Sequence, residues 1–345
     1  MRVLVLGGSN LIGPALVSEL IGDGAEVTIA NRGITPDSFG DSVERVRIER
    51  GERAALRTLA ATGPWDVVYD QICYTAEQAE AACDCFAGRV GRYVFTSSIM
   101  VYEPGPARGE AAFDPNRFRA EVEPSALPEH LRYGEGKRAA EAAFFQRADF
   151  PVAAVRFPNI LGSDDRSRRL DWHIQAVRTG SPVFVPNPGV RQSLLWSRDA
   201  GRFLTWLGGQ RHTGPVNAAS SDPISVGDLL ETVAAMVGSP VVHAEQPTAG
   251  NFSPFGFSED FTIDTRLVRA WGFEFTDVAR WLPALVAEQV AKGPRRSRDL
   301  ILHGILRKLH HGESLTPEEV ERLDQRLESL RVEARSNRQG PWNES

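Results

Sequence analysis

The chain opens on Met1-Arg-Val-Leu-Val-Leu-Gly-Gly-Ser-Asn-Leu-Ile-Gly13, and no other stretch restricts its fold as tightly. The apolar, β-branched run from Val3 to Leu6 reads as a buried strand, Gly7, Gly8 and Gly13 as a tight turn, and Pro14 to Ile21 as a helix. Glycines in such a turn let the backbone approach a pyrophosphate, whose charge faces the free N–H groups and positive dipole end of the helix. A plain strand-to-helix turn has the same outline, so the glycines alone are a weak signal. Because the turn follows a strand at the head of the chain, a dinucleotide is the favoured reading, with Gly7, Ser9, Asn10, Leu11, Ile12 and Gly13 as contacts.

The next segments repeat the strand–helix alternation. Ala25 to Ala30 reads as the second strand and runs into Asn31-Arg32-Gly33. The residue at that strand end meets the adenosine ribose, where a carboxylate suits the 2'-hydroxyl and an arginine suits a 2'-phosphate. Here Arg32 follows Asn31 and no carboxylate is present, which favours NADP over NAD. Val43 to Ile48, Asp66 to Ile72 and Arg92 to Ser98 read as further strands, with helices over 52–61 and 75–90. This spacing predicts βαβ units in a doubly wound, parallel, Rossmann-like α/β sheet, whose ligands lie beyond the carboxyl ends of the strands. Gly7, Asn31, Asp70 and Ser98 then converge on one edge, with Glu52 and Ser97 nearby as further expected cofactor contacts.

Residues 103–132 are rich in Pro, Glu and Gly with little periodicity, and read as a long lid-like loop. A helix over 133–148 and a sixth strand over 152–161 follow. From Asp164 the pattern changes to helices at 167–179, 200–207, 226–237 and 278–292, alternating with short strands near Val183, Leu194, Val216 and Val241. The expected organisation is a dinucleotide-binding domain at 1–162, a smaller α/β substrate lobe at 163–292, a helical extension at 293–335 and a disordered tail at 336–345. In the extension, Thr316-Pro317-Glu318-Glu319 forms a capping box, and Val320, Leu323, Leu327 and Leu330 make a narrow apolar stripe. That stripe packs on the chain's own body or on a helical partner, a second copy included.

Net charge of -6 offers no basic footprint, so no nucleic-acid partner is expected. With neither a charged-then-apolar leader nor an apolar run near membrane length, the expectation is a cytoplasmic protein without a membrane partner. Cys73, Cys83 and Cys85 are sparse, without partner clusters, and read as reduced thiols with no metal.

Of the 39 basic residues only Lys137, Lys292 and Lys308 are lysines, and Lys137 falls four residues after Tyr133 in Tyr-Gly-Glu-Gly-Lys. At that spacing both side chains project from one face of a helix. An ammonium beside a phenol stabilises the phenolate and brings its pKa down from about 10, which suits proton exchange with an alcohol or carbonyl. The alternative is an incidental surface pair.

Glycine turn, serine-bearing fifth strand and Tyr-x-x-x-Lys helix, in that order, resemble the short-chain dehydrogenase/reductase superfamily. The details are similar to its extended and atypical branch, the NAD-dependent epimerase/dehydratase family. Ser97-Ser98-Ile99-Met100-Val101-Tyr102 matches that branch's Ser-Ser-x-x-Val-Tyr, and Arg156-Phe157-Pro158-Asn159-Ile160-Leu161-Gly162 its Arg-x-Pro-x-x-x-Gly. The resemblance covers about residues 1–292. It implies that Ser98 bonds the substrate oxygen, that Tyr133 is the acid or base, and that Lys137 tunes Tyr133 and holds the nicotinamide ribose. It also implies that the segment of Pro158 and Asn159 lies against the nicotinamide. Two departures stand out. Asn10 occupies a position where the superfamily's longer pattern has glycine, and Ile99 and Met100 replace the Asp-Glu pair by which family dehydratases remove water.

The leading expectation is therefore NADPH-dependent reduction of a small-molecule carbonyl, or its reverse. A nucleotide-sugar epimerase with tightly held NAD is the alternative, and a non-catalytic cofactor sensor or RNA-binding relative is the third reading. Tyr102, Trp172, His173, Arg191 and Trp196 are the candidate substrate contacts, with a structural role for His173 the stronger of its two readings.

Overall fold

The computed structural model describes residues 1–122, 126–163, 165–248 and 250–293. Apart from Gly293, the extension expected at 293–335 and the tail at 336–345 lie outside the described residues. The first half alternates as anticipated: β1 (Arg2–Leu6), α1 (Ile12–Gly22), β2 (Glu26–Asn31), β3 (Val43–Arg47), α2 (Arg53–Ala61), β4 (Trp65–Asp70), α3 (Ala76–Phe86) and β5 (Val90–Ser98). Then come β6 (Gly105–Arg108), α4 (Glu129–Arg147), β7 (Val152–Phe157), β8 (Asn159–Leu161), α5 (Arg169–Thr179), β9 (Arg191–Gln192) and β10 (Leu194–Trp196). The last described elements are α6 (Ser197–Gly208), β11 (Gly214–Asn217), β12 (Ile224–Ser225), α7 (Val226–Val237), β13 (Phe261–Ile263), α8 (Arg266–Ala270) and α9 (Val278–Ala291).

Seven strands form one parallel sheet in the order β11-β7-β5-β4-β1-β2-β3. Side chains alternate across each strand, so β1 buries Val3 and Val5 against α1 and α6, and Leu4 and Leu6 against α2, α3 and α4. Helices thus cover both faces, which is why inner strands such as β1 read as nearly continuous apolar runs. From β1 the chain winds outward through β2 and β3, then returns to place β4 on the other side of β1. That reversal opens a crevice at the carboxyl ends of β1 and β4.

A smaller lobe packs α5, α7 and α9 around Leu170, Ile174, Leu229, Leu230, Trp281 and Leu282. It carries the β10-β8 pair and a four-stranded sheet in the order β12-β9-β13-β6.

Four stretches differ from the sequence expectation. The sixth strand breaks at Pro158, which has no N–H to give a ladder: β7 ends in the large sheet and β8 pairs with β10 in the lobe. β11, from the stretch assigned to the smaller lobe, adds to the edge of the large sheet beside β7. The 103–132 loop contains β6, paired with β13, and its last residues begin α4. A four-residue strand reading Gly-Pro-Ala-Arg is too short and too irregular for periodicity to expose. Near Val183 and Val241 there are two isolated bridges, Val183 to His243 and Phe184 to Phe252, rather than strands. No helix among the described residues is long and apolar enough to cross a membrane.

Candidate active site

A cleft of about 450 Å³ opens at the β1/β4 reversal, lined among others by Gly7, Gly8, Ser9, Asn10, Asn31, Arg32, Glu49, Arg50, Gln71, Tyr74 and Arg166. That is within the ordinary size range of ligand sites. The turn at its centre is held from two sides. The Gly7 N–H donates to the Ala30 carbonyl at 2.9 Å, and the Asn31 side-chain amide donates to the Gly7 carbonyl at 2.9 Å while its oxygen accepts from the Gly33 N–H at 2.8 Å. Gly7 and Gly8 have φ of 111° and 83°, values that disfavour any other residue. A Cβ on Gly13 would collide with the backbone of Gly8, so the third glycine lets α1 press onto the turn.

The cleft fits a dinucleotide on two local observations. The N-terminus of α1 has no side-chain cap and no acidic residue in its first turn, which leaves its N–H groups to an anion. Gln71 accepts from the Gly8 N–H at 3.2 Å through its side-chain oxygen, while its Nε2 is buried without a partner and is a donor waiting for an acceptor. At the N-cap, Leu11 has φ of 50°, a strained value of the kind that clusters at ligand sites.

The paired phenol and ammonium do not line this cleft but stand behind Tyr74, whose ring centroid is 6.4 Å from that of Tyr133. Tyr133 is 45% exposed and Lys137 is buried, one turn apart on α4. The Lys137 ammonium donates to the carbonyls of Cys73 at 2.7 Å and Thr96 at 2.8 Å, and lies over the rings of Tyr74, Phe95 and Tyr133, 4.7, 4.9 and 5.8 Å from their centroids. The two intervening glycines are there for contact: a Cβ on Gly134 would strike the Met100 carbonyl and one on Gly136 the Tyr74 carbonyl. Tyr-Gly-Glu-Gly-Lys is thus the sequence of a helix driven against the ends of β4 and β5. Ser98, at the end of β5, is nearly buried, and its hydroxyl accepts from the Met100 N–H at 3.2 Å.

Other anticipated contacts go elsewhere. Asp70 is fully buried, accepting from Arg50 at 2.6 Å and the Tyr93 hydroxyl at 2.6 Å, so it braces the cleft wall from below instead of lining it. Glu52 precedes α2 on the surface, and its neighbours Glu49 and Arg50 line the cleft in its place. The Ser97 hydroxyl is buried and donates to the Glu141 carboxylate. Pro158 is buried, and Asn159 bonds Gln192 at 3.2 Å and Arg169, which ties β8 to the smaller lobe.

Of the residues read as substrate contacts, Tyr102 is buried, donating to Asn217 at 2.8 Å and accepting from Arg156 at 2.8 Å. His173 is a core histidine: its ring bonds the Arg169 carbonyl at 2.7 Å and the Ser253 hydroxyl at 2.8 Å and stacks on Phe255, and burial holds its pKa down at about 4. Trp172 packs at an edge against His173, and Trp196 stacks on Trp281 with Arg198 over its ring. Arg191 is exposed and binds the Pro223 carbonyl. The three cysteines are buried and free, and burial pushes the Cys73 thiol up to about 12. Among the described residues no group of acidic, His or Cys side chains has a metal-binding arrangement.

Sequence reasoning passed over Gln71, Tyr74 and Arg166. The first two directly follow β4, and the rule that ligands meet the loops after parallel strands points at them. Arg166 has no local signal, since arginine is the common cation of this chain.

Residues 3–219, more than half the chain, match the family described as NAD dependent epimerase/dehydratase. The chain is 28% identical over 342 residues to 2'-dehydrokanamycin reductase of Streptomyces kanamyceticus, covering 96% of this chain and 92% of that protein. It is 25% identical over 257 residues to the chloroplast stem-loop binding protein of 41 kDa b of Arabidopsis thaliana, covering 69% of this chain and 63% of that one. The fold is similar to UDP-glucose 4-epimerase of Thermus thermophilus, solved in complex with NAD, with a TM-score of 0.65 at 18% identity over 85% of this chain and 100% of that chain. The chain belongs to the NAD dependent epimerase/dehydratase family and is a nicotinamide-dependent enzyme of the short-chain dehydrogenase/reductase superfamily.

Proposed function

We propose that the protein reduces a small-molecule carbonyl with NADPH, or runs the reverse oxidation, through Ser98, Tyr133 and Lys137. The observation that carries this reading is the exposed Tyr133 phenol with the buried Lys137 ammonium 5.8 Å from its ring centroid, both beside the cleft-lining Tyr74. When bound, the nicotinamide supplies the hydride. Tyr133 gives the substrate oxygen its proton, and charge developing on the phenolic oxygen meets a cation fixed by two carbonyls. Ser98 orients the carbonyl oxygen. The Gly7 to Gly13 turn and Gln71 hold the pyrophosphate, and the exposed Arg32 meets the 2'-phosphate. Homology to a reductase over nearly the whole chain supports the reductase reading.

Tyr133→Phe tests the chemistry: turnover should fall about 10²- to 10⁴-fold with dinucleotide affinity kept, and unchanged turnover would refute the assignment. Arg32→Ala tests the coenzyme, weakening NADPH about tenfold and NADH little, and equal effects would exclude a 2'-phosphate contact. An epimerase would instead purify with NAD and need none added. A stem-loop-binding role, as the name of the Arabidopsis relative describes, would leave Tyr133→Phe without phenotype.

A further inference from the structure

Arg166 lies outside the Ser-Tyr-Lys group, yet it reaches the cleft from the smaller lobe, where it lines the same space as Ser9, Asn10 and Arg32. Its loop, between β8 and α5, is built to present it. The Asp165 carboxylate accepts from the Ser167 N–H at 2.8 Å and hydroxyl at 2.7 Å, and the Asp165 N–H donates to the Gly162 carbonyl at 3.2 Å. Arg168 is held at φ of 55°, a left-handed value that few arginines adopt and that surrounding structure must enforce. Between these two braces the Arg166 side chain stands exposed.

The charges in the cleft single it out. Arg50 is neutralised by Asp70 at 2.6 Å, and Arg32 lies 4.0 Å from Glu49. Among the described residues lining the cleft, Arg166 is the cation with no ion pair. The wall it shares with Ser9 and Asn10 offers donors: the uncapped N-terminus of α1 and the buried, unpartnered Nε2 of Gln71. A lone cation and unpaired donors around one space call for an anion.

We propose that Arg166 is the smaller lobe's contribution to cofactor binding, its guanidinium clamping the pyrophosphate of the dinucleotide against the glycine turn. This rests on the reading that a dinucleotide fills the cleft. The pyrophosphate is the target because it sits at the turn in either coenzyme, whereas Arg32 already stands at the ribose end. A ligand gripped in this way joins the two lobes.

The test is equilibrium binding of NADPH and of NADH to the full chain, comparing wild type with Arg166→Ala and Arg166→Lys, with urea unfolding as the check on folding. Arg166→Ala should weaken both dinucleotides by a similar factor, about tenfold or more, as expected for losing a charge-assisted bond to phosphate. Arg166→Lys should restore part of the loss, because it keeps the charge but not the bidentate fork. Unchanged affinities in Arg166→Ala, with wild type binding normally, would overturn the clamp, and so would a loss confined to NADPH. If wild type bound neither dinucleotide, the reading of the cleft itself would fall first.

Discussion

Two buried arginine–carboxylate pairs brace the large sheet domain, and they differ in reach. Arg50–Asp70 closes at 2.6 Å and draws its other partners, the Tyr93 hydroxyl and the Gln78 carbonyl, from neighbouring elements of the large sheet domain. Arg156–Glu141 closes at the same 2.6 Å, but Arg156 also donates to the Glu110 carbonyl at 2.8 Å and the Phe113 carbonyl at 3.0 Å, both in the segment that follows β6. In each pair, burial works against the guanidinium charge, and the facing carboxylate together with a neighbouring tyrosine and other groups outweighs it, so both arginines titrate above their ordinary value. The chemistry is the same, yet the first pair stiffens one wall of the cleft while the second pins the connection between sheet and smaller lobe.

Cutting either pair is the harshest way to break that comparison. Removing one partner strands a buried charge, so Asp70→Ala and Glu141→Ala should each lose about 3–5 kcal/mol in urea unfolding. The difference should appear in milder variants under limited proteolysis. Glu141→Gln is expected to expose the 105–122 segment to cleavage, while Asp70→Asn leaves it protected and weakens dinucleotide binding. Equal cleavage of the two variants would show that the pairs do not divide their work in this way.

The same contrast explains what could be read from the sequence. Strands β1, β2, β4 and β5 are legible because parallel strands buried on both faces are largely apolar, and Tyr133 with Lys137 because a spacing of four fixes a shared helix face. The fates of Asp70, Ser97 and Tyr102 are not local. A polar residue at the end of a strand faces either a ligand or a buried partner, and for Asp70 that partner, Arg50, is 20 positions away. For Tyr102 it is Asn217, at a separation of 115. Nothing local marks Gly134 and Gly136, and only the packed helix shows that their missing side chains admit the Met100 and Tyr74 carbonyls.

His173 sharpens the comparison from the other direction, as a buried base with no carboxylate. Its folded pKa of about 4 lies below the 6.5 of the unfolded chain, so between these values the unfolded state binds the extra proton. This part of the stability is present above pH 6.5 and declines as pH falls toward 4. Between pH 7 and 4.5 the loss should be about 2–3 kcal/mol, read as the part of the urea-midpoint shift that His173→Gln removes. An identical pH dependence in that variant would mean that carboxylates alone set the acid limit.

The gentlest cut is Tyr102→Phe, which deletes one hydroxyl from the larger network and leaves the ion pair whole. That hydroxyl donates to Asn217 and accepts from Arg156, but Arg156 keeps Glu141 and two carbonyls, and Asn217 still donates to the Arg108 and Asp264 carbonyls. With most partners retained, the loss should be about 1 kcal/mol in urea unfolding, well below that of Glu141→Ala. A loss equal to that of Glu141→Ala would mean that the phenol, bridging β7 and β11 through Arg156 and Asn217, is what keeps the guanidinium in place, with the carboxylate secondary to it.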